Sequence, residues 1–109
     1  MPWHHYVAYF FGGATCANCL PHLMTGIVGK PLPTPFASPP FKGLSCPIVN
    51  VAWGLMNALI AYMLLAHVGN FDLRSWSAAG TSFLGFSVMA LLCARSLARI
   101  NESARADEK

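Results

Sequence analysis

Residues Pro47 to Val68 read PIVNVAWGLMNALIAYMLLAHV and contain no Asp, Glu, Lys or Arg. As a helix, such a run reaches roughly 33 Å at about 1.5 Å per residue, and the hydrocarbon core of a bilayer is roughly 30 Å thick. The pattern predicts a transmembrane helix over 47–68. Ser45 stands where a helix cap is expected, and Pro47 falls in the first turn, where its missing N–H costs little. A second apolar run, SAAGTSFLGFSVMALLCARS over 77–96, leads into a charged tail over 97–109. A third, over 6–28, is interrupted by Thr15, Asn18, Pro21, His22 and Thr25. Its polarity leaves two options, a full span or a re-entrant segment. The expected fold is all-α: three transmembrane helices at about 6–28, 47–68 and 77–96, making a single transmembrane domain over 1–109.

The basic residues give a direction. Lys30 and Lys42 lie in the first connection, and Arg95, Arg99, Arg105 and Lys109 lie at or beyond the end of the last span. Arg74 alone lies in the second connection, after the Gly69-Asn70 break. With three spans the first connection and the C-terminus share a side, and the positive-inside rule makes that side cytoplasmic. The N-terminus is then outside, with Trp3, Tyr6 and Trp76 at the outer interface, where amphipathic rings are favoured. The opening MPWHHYVAYFF has no Lys/Arg-rich n-region, so the N-terminal segment is expected to be retained.

The first connection, 29–45, reads GKPLPTPFASPPFKGLS and is proline-rich. Pro31, Pro33, Pro35, Pro39 and Pro40 favour extended polyproline-II geometry over helix. The expectation is a stiff strap at the membrane surface, with Phe36 and Phe41 in the headgroups or against the helices. The same proline spacing also suits a docking segment for a partner protein.

Lipid supplies no hydrophobic drive between helices, so close packing and polar cross-links must hold them together. Gly13 and Ala17 form a small-xxx-small pair in the first span, with Gly12 beside them. Asn50, Gly54, Asn57 and Ala61 fall on one face of the second. Gly80, Gly85 and Ser87 give the third a looser small surface. The first two helices run antiparallel, and counting depth along each sets Asn18 opposite Asn57 and His22 opposite Asn50. Each such bond is worth about 0.6 kcal/mol and at most about 2. Its larger effect is to select one rotation of each helix.

Composition supports the same solvent. Of 109 residues, 55% are hydrophobic and 10% charged, against about 25% charged in a soluble domain. A net charge of +3 with no Lys/Arg stripe excludes a nucleic-acid footprint. None of the spans contains Asp or Glu, the groups that proton- and cation-coupled carriers commonly use. There is also no serine–histidine–acid set, phosphate loop or carboxylate pair, so an enzyme has no positive support.

The remaining chemistry lies in four cysteines and four histidines. Cys16-Ala-Asn-Cys19 is a CxxC that continues to His22, and Pro21 should distort that turn and free the Ala17 carbonyl. The simplest reading is small apolar packing thiols. Cys16, Cys19, His22 and Cys46 are also ligand types for tetrahedral zinc, and the CxxC could be a redox pair, although such pairs usually sit at a helix N-terminus. His5 and His67 share the predicted outer end and are candidate axial ligands for a haem. His22 is the most deeply placed ionisable group, which makes it a functional candidate by default.

Gly12-Gly13, Ala17-Asn18, Pro21-His22, the Pro-Thr-Pro-Phe of 33–36, and Val49-Asn50 with Trp53 resemble a family of small, uncharacterised bacterial integral membrane proteins. The resemblance covers roughly the first half of the chain. It implies a bacterial inner membrane, and a loop that folds back beneath His22 and Asn50. It carries no activity.

Three helices enclose little interior, so association is expected, with other membrane subunits or with itself. The leading expectation is a non-catalytic accessory or scaffold subunit of a membrane complex. The alternatives are a metal- or haem-binding membrane protein using the CxxC/His cluster, and a small transporter formed by oligomerisation.

Overall fold

The computed structural model describes residues 2–37, 39, 40 and 43–108, with side chains described as far as Ile100. Phe41 and Lys42 lie outside the described residues. Three helices form: α1 (Trp3–Ile27), α2 (Pro47–Tyr62) and α3 (Trp76–Glu108). α2 runs on into a π-helical segment, Met63–Val68. Among the described residues there is no sheet, only an isolated antiparallel bridge between Leu32 and Ser45.

α1 passes through Pro21 without breaking, and the Thr25 hydroxyl bonds back to the Pro21 carbonyl. It ends where Gly29 takes a positive φ of 80°, a conformation that costs glycine nothing. Lys30 N–H reaches Thr25 O at 2.9 Å and Gly29 N–H reaches Gly26 O at 3.0 Å, which closes a Schellman end. α2 starts after an extended Cys46, with Pro47 in the first turn. The expected cap at Ser45 is not made: the N-cap is Cys46, without a side-chain bond, and the Ser45 hydroxyl pairs with Thr34 instead. α3 does not stop near Ser96. Its charged tail continues as helix to Glu108, because nothing from Leu97 onward is a helix breaker.

α1 is the middle element. It packs against α2 on one side and α3 on the other, while α2 and α3 do not pack on each other among the described residues. Along α2 the register is continuous and antiparallel: Gly26 lies against Pro47 and Val51, His22 beside Asn50, Asn18 beside Asn57, and Gly12 against Leu64 and Leu65. Along α3 it is parallel, with Gly13 against Ser82 and Asn18 beside Cys93. At this crossing the backbones touch. A Cβ on Gly13 would overlap the Ser82 carbonyl, and one on Gly85 would overlap the Phe10 carbonyl.

The buried residues of α2 are Asn50, Gly54, Asn57 and Ala61, the face marked out by their spacing. The widened π turn lies over α1 near Tyr9, which is fully buried. The Tyr9 hydroxyl accepts from Asn70 N–H at 3.2 Å, and its ring meets Phe71 edge-on at 5.8 Å. Two helical stretches are long and apolar enough to cross a membrane: Pro47–Val68, with mean hydropathy 1.8, and Trp76–Ile100, with 1.6. Only 22% and 11% of their apolar windows are buried, so neither is the core helix of a fold within this chain.

Candidate functional site

The polar side chains of α1 form a seam that reaches both neighbours. The Cys93 thiol approaches Asn18 Oδ1 at 3.5 Å. Asn18 Nδ2 donates to Asn57 Oδ1 at 3.1 Å, and Asn57 Nδ2 donates to Trp53 O at 2.9 Å. One asparagine, Asn18, therefore links all three helices.

One turn further along α1, His22 Nδ1 lies 3.0 Å from Asn50 Oδ1, and both residues are buried. Asn50 ties this pair to the proline-rich connection. Its Nδ2 faces Leu32 O at 3.1 Å, Ser45 O at 3.0 Å and Cys46 O at 3.3 Å. Three carbonyls around one end of an amide fix its orientation, since only the NH₂ can donate to them. Oδ1 must then be the atom facing His22, and His22 must donate through Nδ1–H. In the neutral ring the lone pair is left on Nε2.

The connection folds under this pair. Ser45 N–H bonds Leu32 O at 3.0 Å, the Thr34 and Ser45 hydroxyls lie 2.5 Å apart, and Phe36 meets Trp53 edge-on at 5.5 Å. Thr34 is fully buried. A turn closed by Ala37 N–H to Thr34 O at 3.1 Å interrupts the extended run the prolines favour, so the strap is a folded plug.

The cysteines and histidines do not converge on a metal. Among the described residues no group of three or more His, Cys, Asp or Glu side chains comes together. Cys16 is exposed and Cys19 is buried, Cys46 is exposed at the start of α2, and His22 is committed to Asn50. The four therefore do not make the tetrahedral set their residue types allow. Cys16 and Cys19 stand only about 60° apart around the helix axis, so they share one broad face, with Cys16 at its exposed margin and Cys19 at its buried one. His5 stacks near Tyr9 at 6.2 Å and His67 near Tyr62 at 5.3 Å, so each ring has its own aromatic neighbour.

Sequence reasoning missed the Leu32, Ser45 and Cys46 carbonyls as partners of Asn50, the Thr34–Ser45 hydroxyl pair beside them, and Tyr9 as the residue that fixes the 69–71 turn. It also missed a cleft of about 230 Å³ between α1, α3 and the connection, lined by Pro21, His22, Pro33 and Cys93 among others. No family model, curated protein or solved structure matches the chain.

Proposed function

We propose that this chain is an integral membrane protein crossing a bacterial inner membrane three times, N-terminus outside, and serving as a non-catalytic accessory or scaffold subunit of a membrane complex. The three-span reading is supported by α1 lying alongside α2 from Gly12 to Gly26. A helix in continuous register with a span shares its depth. The low hydropathy of α1 has a local cause, because its small and polar residues face α2 and α3. Its exposed side is apolar and carries Val7, Phe11, Leu20, Met24 and Ile27. Trp3, Tyr6 and Trp76 are all exposed at one end, as an interfacial belt would be.

One observation carries the accessory role: α2 and α3 both pack on α1 yet, among the described residues, leave each other untouched. Each presents a long apolar flank, with Ile48, Leu55 and Leu59 on α2 and Phe83, Leu84 and Leu91 on α3. Exposed apolar surface on this scale marks contact with lipid or protein. Asn18, Asn57, His22 and Asn50 bond to one another across α1 and α2, which suits a fixed structural part. Purification in mild detergent tests the role. A stoichiometric membrane partner is expected, and a lone homo-oligomer would contradict it.

A further inference from the structure

The seam leaves one polar atom unspent. His22 is 7% exposed, its Nδ1 is taken by Asn50, and no hydrogen bond reaches Nε2 among the described residues. Asn50 lies on the α2 side of the ring, and the cleft lies on the α3 side. His22 is itself part of the cleft wall, and in the neutral ring with Nδ1–H given to Asn50 the Nε2 lone pair can only accept.

The rest of the cleft is largely apolar, with Pro21, Pro33, Leu92 and Ile100 among its walls and the Cys93 thiol beside Asn18. Binding sites for small molecules have this character: apolar walls and a few placed polar groups. The volume, about 230 Å³, is suited to a single substituted ring, since an engineered cavity of about 150 Å³ holds benzene. The pyrrolidine rings of Pro21 and Pro33 offer flat faces for it.

We propose that this cleft binds a phenolic ring whose hydroxyl donates a hydrogen bond to His22 Nε2. The ring would come either from a free phenol or from the head of a membrane hydroquinone. The phenol proton stays on oxygen and no bond is made or broken. A quinone of the same size, which can only accept, is not held at this atom.

Nitrogen NMR of the full chain, histidine-labelled and held in phosphatidylcholine nanodiscs, reads the site directly. His22 should show Nδ1 protonated and Nε2 bare. Phenol should displace the Nε2 resonance saturably, and anisole, the same ring without a donor, should leave it in place. Leu92→Trp, which adds bulk to the α3 wall of the cleft and leaves the His22–Asn50 pair on the α2 side in place, should abolish the phenol response and keep the Nδ1–H signal. An alkylated hydroquinone acting at lower concentration than phenol assigns the ligand to the membrane pool, whereas equal or weaker action assigns it to a free phenol. A protonated Nε2 at the outset overturns the proposal. So does a phenol response that is absent, matched by anisole, or retained in Leu92→Trp.

Discussion

Asn50 makes four hydrogen bonds and Asn57 makes two, and the difference decides what each is worth. Asn57→Leu removes the partner of Asn18, a loss of about 0.6–2 kcal/mol. Asn50→Leu also orphans His22 Nδ1–H and the side-chain bond to Ser45 O, and a buried group left unpaired costs about 1–3 kcal/mol. Thermal unfolding in detergent should therefore show a clearly larger drop for Asn50→Leu, with both variants still inserted. Equal drops would mean the loop bonds contribute nothing. Ser82 Oγ is the opposite case, a buried hydroxyl with no partner among the described residues. Ser82→Ala should unfold at the same temperature or higher, and a large loss would point to a bond this arrangement does not contain.

The Asn18–Asn57 and His22–Asn50 pairs were legible because depth along two antiparallel helices follows from counting. Cys93 facing Asn18 was not, since counting does not fix the rotation of a third helix. Thr34 and Ser45 were not legible either. Loop residues have no period, and a serine just before a helix reads as a cap even when its hydroxyl turns to the loop.

At the level of elements, α1 lacks the hydropathy of a membrane span and is the most enclosed helix in the fold. Its hydropathy is low because glycine and alanine let neighbouring backbones approach and asparagine and histidine cross-link them. Window averages register this as weakness, although the interface depends on it. The spacing of 50, 54, 57 and 61 marked the inner face of α2 correctly, because periodicity survives where averaging fails. The π turn after Tyr62 left no such mark: its widened bonding accompanies Tyr9 packing, a long-range contact. The Gly13 crossing gives a sharp contrast. Gly13→Val should force α1 and α3 apart at a rigid carbonyl and cost about 1–3 kcal/mol, the usual range for overpacking. Gly80→Ala, on the same α3 but with open space around it, should hold or raise the midpoint, since alanine is the better helix former. Indistinguishable variants would dismiss the close crossing.

For the whole molecule, the parity of spans is decisive. Two helices have the length and hydropathy to cross on their own, and α1 follows only if its partnership with them holds inside the bilayer. If α1 lay outside, the chain would cross twice and both ends would share a side. With three crossings they are separated, and six of the seven basic residues share one side, which the proposed topology makes cytoplasmic, leaving Arg74 on the other. Short epitope tags at the two termini, probed with antibody on spheroplasts before and after permeabilising the inner membrane, measure this directly. The N-terminal tag should be reached in intact spheroplasts and the C-terminal tag only after permeabilisation; finding both tags on one side would contradict the three-span bundle.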